Sequence, residues 1–162
     1  MPYANENLWS YWVSIGLENQ WIDYEFGTEI DLVAIDLSVR NRNYTLRFCN
    51  LDDDTGRETI IGEIPVVYDE TGNGIKKTVV VDPETGAEIE IEVEVHADYQ
   101  RMLIPFFTKT IKHLRTHVID ETGTDLGWGN GAGVCVIEIH PWGTVPGASD
   151  FQTDKTTIVI FR

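Results

Sequence analysis

A chain of 162 residues is the size of one domain, and with 42% hydrophobic and 10% aromatic residues it can build a core without disulfide staples. Its 27 acids against 12 bases give a net charge of −15, which argues against generic nucleic-acid and anionic-membrane binders, whose affinity depends on clustered Lys and Arg. Cys49 and Cys135 are the only cysteines, too few for a disulfide scaffold; no run of about 18 apolar residues could span a bilayer, and the first ten residues lack the basic and apolar regions of a secretory leader.

In chain order, Trp9, Tyr11, Val13 and Ile15 alternate with Ser10, Trp12 and Ser14 as a strand does, although Leu8, Trp12 and Ile15 also fit a short helix. Seven of the 17 aromatics fall within the first 26 residues, Trp9 and Trp12 among them, and packing in a core or an interface is the expectation for them. Residues 29–40 and 44–51 read as a hairpin turning at Arg40-Asn41-Arg42-Asn43. Next comes a series of polar turns: Asp53-Asp54-Thr55-Gly56, Asp69-Glu70-Thr71-Gly72, Asp82-Pro83-Glu84-Thr85-Gly86 and Asp120-Glu121-Thr122-Gly123. Each ends in a Gly able to take the positive φ that closes a type I turn with a G1 bulge. Between them, β-branched runs at 59–68, 76–81 and 88–96 predict a three-stranded antiparallel meander over 57–96. In the last run Ile89, Ile91, Val93 and Val95 alternate strictly with Glu88, Glu90, Glu92 and Glu94, so one face is buried and the other is a row of carboxylates. The turns at 69–74 and 82–86 are wholly polar, and they are expected to project as arms.

Tyr99, Met102, Leu103, Phe106, Phe107, Thr110, Ile111, Leu114 and Val118 recur at three- and four-residue spacing, which predicts one helix over 98–117, capped by Asp98 and kinked at Pro105. Residues 134–140 and 156–162 read as a closing pair of strands. The fold class that follows is mainly β: a single domain over 1–162, a β-sandwich or barrel with one flanking α-helix and projecting hairpins.

Charge is uneven along this chain. Residues 52–98 hold 14 acids and 3 bases, whereas residues 99–119 hold four bases, Arg101, Lys109, Lys112 and Arg115, and no acid. A basic element beside an acidic row suits a docking contact between unlike patches. The expected interface is therefore Arg101, Lys109, Lys112 and Arg115 against Glu88, Glu90, Glu92 and Glu94, with Trp9 and Trp12 supplying apolar area.

Catalytic patterns are weak. His113 and His117 share a face at helical spacing, but no Glu follows His113 as an H-E-x-x-H zinc motif requires. Gly127, Gly129, Gly131 and Gly133 precede a strand, whereas a phosphate-binding loop follows one. The stretch Glu29-Ile30-Asp31-Leu32-Val33-Ala34 resembles the acidic strand of restriction-endonuclease-like nucleases, but Tyr44-Thr45-Leu46-Arg47-Phe48-Cys49 lacks the acid and Lys that family needs next. No serine lies in a G-x-S-x-G elbow. No catalytic residue, no metal and no cofactor are expected.

In overall character the chain resembles the small β-rich structural proteins of tailed-phage virions, of tail, neck or capsid-decoration type. That resemblance implies a non-enzymatic protein that forms homo-oligomers or docks on other virion proteins, binds neither nucleic acid nor membrane directly, and is assembled in the host cytoplasm. Two alternatives come from the same composition: an acidic inhibitor that mimics nucleic acid, and a carbohydrate-binding module using exposed aromatics.

Overall fold

The computed structural model describes residues 21–120, 122, 136–145 and 158–161. They form eight strands: β1 (Trp21–Arg40), β2 (Tyr44–Leu51), β3 (Glu58–Val66), β4 (Asn73–Val81), β5 (Glu88–His96), β6 (Tyr99–Ile119), β7 (Val136–Thr144) and β8 (Ile158–Phe161). Every pairing is antiparallel. The order β2-β3-β4-β5-β6-β1-β7 closes into a barrel because β2 also pairs with β6, while β8 joins β1.

The expected meander is present as β3, β4 and β5. Two of its bounding turns share one hydrogen-bond scheme. In each, the Asp at the base (Asp52, Asp82) exchanges backbone bonds across the loop, its carboxylate accepts from the amide two residues on, and the Thr hydroxyl accepts from the amide after the Gly. Gly56 and Gly86 sit at φ 73° and 72°, as the αL position of this loop demands. The backbone amide of Asp54 is the leading cause that holds the Asp52 carboxyl below its ordinary range, and Thr71 does the same for Asp69.

Three expectations are corrected. The helix over 98–117 is strand β6; no helix occurs among the described residues. Its alternation is that of a strand: Met102, Ile104 and Phe106 are buried, and Arg101 and Leu103 are exposed. Thr108, Thr110, Ile111 and Thr116 favour a pleated chain over a helix, and Pro105 lies at a register shift opposite 32–34 of β1, where a missing donor is tolerated. Second, β1 and β2 do not form a hairpin, because β6 lies between them and pairs with both. Likewise β7 and β8 each pair with β1. Third, the turn at 69–74 does not project as an arm. Gly72, at φ 56°, lies so close to Ala97 that a Cβ there would come within 2.8 Å of its Cα. The tip at 83–87 is exposed, but Asp82 at its base is buried.

Asn41 explains why the 69–74 turn lies down. This side chain is fully buried at the β1–β2 connection. Its Nδ2 donates to the Asp69 carbonyl at 2.9 Å, with the carbonyls of His96 and Ala97 at 3.3 and 3.4 Å, and its Oδ1 accepts from Asp69 N at 2.9 Å and Gln100 Nε2 at 2.8 Å. One amide thus joins the β1–β2 link, the β3–β4 turn and the β5–β6 turn. The apolar core lies below it, with Leu37, Leu46, Ile64, Val93 and Ile104 buried together and Phe48 meeting Phe106 edge-to-face at 5.4 Å.

Replacing Asn41 by Ala or Leu strands the Asp69 amide and takes from Gln100 Nε2 one of its two acceptors, leaving it the Val67 carbonyl. A loss of about 2–4 kcal/mol is expected, given about 1–3 kcal/mol for each buried polar group left unpaired. Urea titration of wild type and both variants measures it; the leucine should fare no better than the alanine, because the deficit is in hydrogen bonds.

Candidate functional site

Two regions bring chemistry-bearing side chains together. The first lies on the face of β6 that points away from the core. Alternation sends Leu114 and Val118 into the core and His113, Arg115 and His117 to the other side. Strand register then sets Glu25 beside His113, Asp23 and Cys49 on either side of Arg115, and Trp21 and Arg47 on either side of His117. The turn after β2 brings Asp53 over His113, and the start of β3 brings Glu58 to Arg115. Asp23 and His113 are nonetheless 0% and 1% exposed, so ionisable side chains are buried on the face of this three-strand segment that points away from the apolar core.

Arg115 organises this cluster. Its Nε and Nη2 donate to the two carboxylate oxygens of Asp23 at 2.8 and 3.0 Å, Nη1 donates to Glu58 at 3.3 Å, and its guanidinium stacks 4.2 Å from the Trp21 ring centre. Burial works against the charged guanidinium, but Asp23 and Glu58 outweigh it and hold its pKa above the ordinary value. His117 Nε2 sits 2.8 Å from Glu58. His113 lies between carboxylates: Nδ1 is 2.7 Å from Asp53 and 3.7 Å from Glu25, while Nε2 is 3.2 Å from Asp23 without meeting hydrogen-bond geometry. Burial, and then Glu58, push the Cys49 thiol up to about 12, so it is protonated at neutral pH and is a poor nucleophile. Two sets of donor atoms lie within 4.8 Å of one another: Cys49, Glu58 and His117, and Glu25, Asp53 and His113.

The second region is the solvent face of β4, β5 and β6. Glu88, Glu90, Glu92 and Glu94 share it as expected, opposite Val81, Val79, Lys77 and Ile75 on β4. Lys77 bonds Glu90 at 2.8 Å, which raises the lysine pKa. Ile75 is 68% exposed and Leu103 56%, and with Glu92, Glu94 and Arg101 they border a groove of about 270 Å³. β4 pairs with β3 only at Glu63 and Val81, so its 73–80 edge has no strand partner among the described residues.

The basic block does not form one stripe. Arg101 is ion-paired with Asp36 at 3.1 Å, Arg115 is in the buried cluster, Lys112 is exposed, and Lys109 stands opposite Leu32 in the register. Trp9 and Trp12 lie outside the described residues. The sequence reading missed Asp23, Asp53 and Glu58 because they reach β6 only through pairing across the chain. The available signal was the period-two run His113-x-Arg115-x-His117, read instead at helical spacing.

Removing the Arg115 charge takes from the buried Asp23 the guanidinium that donates to both of its carboxylate oxygens. Arg115→Met should therefore destabilise by about 3–5 kcal/mol, and Arg115→Met with Asp23→Asn should recover part of the loss; denaturant melts of the three proteins check this. The Cys49 shift has a signed consequence. Since the folded thiol titrates near 12 and the unfolded one near 9.0, its contribution to stability is complete below pH 9 and is lost between pH 9 and 12. In a Cys135→Ser background, a thiol reagent at pH 8 should react with Cys49 only on unfolding.

No family model, no curated protein and no solved structure matches this chain.

Proposed function

We propose that this protein is a non-enzymatic structural component that assembles with neighbouring subunits, and that a second copy of the chain docks on the solvent face of β4, β5 and β6. The observation that carries this reading is the placement of Ile75 and Leu103 on either side of one groove, both more than half exposed. Leaving a large aliphatic side chain in water forgoes about 1.5–3 kcal/mol. Two of them about a shared depression, rimmed by charge, have the anatomy of an interface centre.

The charges around the groove favour a second copy as occupant. Arg101 lies across from Glu94 in the β5–β6 register, so the patch carries both signs. A two-fold pairing brings Arg101 of one copy toward the glutamate row of the other, and one patch serves both sides. Contact between chains of net charge −15 needs such a local match, because the overall field repels. The 73–80 edge of β4, without a strand partner among the described residues, lies alongside, and Lys76 and Lys77 on it disfavour indiscriminate strand addition.

A tailed-phage virion, assembled in the host cytoplasm, is the setting implied by the chain's resemblance in character to such components. The inhibitor alternative draws support from the four glutamates on one exposed strand face, spaced about 7 Å apart by the strand rise.

Size-exclusion chromatography with light scattering tests the proposal. The wild type should form dimers or larger closed species, and Ile75→Glu with Leu103→Glu should be monomeric with an unchanged melting temperature. A wild type that stays monomeric at high concentration, or a double variant that assembles like the wild type, would contradict it.

A further inference from the structure

We infer that Asn73 and Gly74 form a self-modifying site, at which the folded chain converts Asn73 to aspartate and isoaspartate and so adds a carboxylate to the rim of the β4–β6 face. The reaction takes water and nothing else from outside. The modification stands independently of the docking proposal, whereas its effect on assembly rests on that proposal.

The chemistry is that of an asparagine followed by a glycine. The main-chain nitrogen of Gly74 loses its proton and attacks Cγ of Asn73; a C–N bond forms, and the side-chain nitrogen leaves as ammonia. The product is a five-membered succinimide. Water then adds to one of its two carbonyls and opens the ring. Cleavage between Cγ and nitrogen gives aspartate, and cleavage between the main-chain carbonyl carbon and nitrogen gives isoaspartate. No oxidant or reductant takes part. Glycine in second place lets the ring close, because no Cβ stands beside the attacking nitrogen, and asparagine counts among the heat-labile residues.

Structure sets this asparagine apart from the others described. Asn73 and Gly74 are both exposed. Asn73 joins side-chain hydrogen bonding only through its main-chain carbonyl, which accepts from Thr71 Oγ1 at 3.3 Å, so its own amide has no hydrogen bond among the described residues. Gly74 has φ 110° and open space where a Cβ would stand. β5 restrains the pair from one side, through His96 and Val95, whereas on the other side β4 has no strand partner here among the described residues. Asn41 is fully buried, commits its amide to three carbonyls and precedes Arg42. Asn43 accepts from the Tyr68 amide and precedes Tyr44, and Asn50 is half-buried before Leu51. Asn130-Gly131 lies outside the described residues. Residue 73 shares the strand face of Ile75, two positions on, and stands opposite His96, two positions beyond Glu94. Conversion therefore sets a new carboxylate beside the glutamate row. In a chain of net charge −15, a further negative charge at this rim adds to the repulsion that docking must overcome.

The test is storage of the purified full chain at neutral and mildly alkaline pH and physiological temperature, followed by tryptic mapping. Peptide 58–76 holds Asn73 and no other asparagine or glutamine, so the mass gain of amide-to-acid conversion in it belongs to this residue, and an isoaspartate-specific methyltransferase labels the rearranged product. Conversion at Asn73 should be at least tenfold faster than at Asn43 or Asn50 and should rise with pH. It should be absent over the same period from Asn73→Gln, whose longer side chain cannot close a five-membered ring. Asn73→Asp, which imitates one product, should need at least threefold more protein to assemble, with its melting temperature unchanged. An Asn73 that stays intact in the folded chain while it converts in urea, or that reacts no faster than Asn43, would overturn the site. An Asn73→Asp variant that assembles as the wild type does would overturn the effect on docking. A wild type monomeric throughout contradicts the docking proposal and this effect with it, and the peptide map still decides the modification.

Discussion

The fold depends on one strand having two different neighbours along the same edge. β6 pairs with β1 along one side from residue 99 to residue 117. On its other side it pairs first with β5, at 100–102, and then with β2, at 114–119. The handover between the two is what turns a meander into a closed barrel. A strand of 21 residues is long enough to do this, and the register shifts between Glu25 and Ile30 and between Leu32 and Ala34 let the β1–β6 pair bend around the core. The core follows from the closure: β1 buries even-numbered Ile22, Tyr24, Ile30 and Leu32 before the second shift, and odd-numbered Ile35, Leu37 and Val39 after it.

Closure also explains where the buried polar groups sit. Where β1, β6 and β2 run side by side, the face away from the core holds buried Asp23 and His113, with Arg115 half-buried and Glu58 exposed beside them. Such groups contribute little net stability by being there, since desolvation opposes the Coulombic gain, but removing one partner is expensive. They fix the register of the three strands, because a one-residue slip would carry Asp23 and Arg115 into the apolar core. Asn41 does similar work at the other end of β1, where it satisfies turn backbone that would otherwise be buried without partners. Beyond these pinned ends, the solvent face of β4 to β6 leaves Ile75 and Leu103 exposed, the surface on which the proposed docking rests.

What was legible in the sequence was local. The β3–β4–β5 meander is written in polar turns that start at Asp and end in Thr-Gly and in the Ile/Val–Glu alternation of 88–95, both signals that span fewer than ten residues. The helix expectation failed because Tyr99, Met102, Leu103 and Phe106 fit helical spacing while Met102, Ile104 and Phe106 fit a period of two over the same stretch, and a change of parity between Phe106 and Ile111 hides the strand pattern over a longer one. The β-branched residues and Pro105 were the local hints against a helix. The hairpin expected at 40–44 failed for a different reason: its turn chemistry is genuine, but β6 enters between the two strands from 60 residues farther along, and nothing near 40–44 records that. The same non-locality hid the buried cluster. His113 and His117 were visible, but Asp23 and Asp53 reach them only through the β1–β6 register and the turn after β2.

The central claim is that β6 is a strand shared between β5 and β2, with β1 along its other edge. Nuclear Overhauser spectroscopy on isotope-labelled protein addresses it most directly. The barrel requires Hα–Hα contacts linking 45–50 to 114–119 and 34–40 to 99–105, with β5 contacts confined to 100–102. Strong sequential amide–amide contacts through 99–117, as in a helix, or the absence of any contact between 45–50 and 114–119, would contradict it.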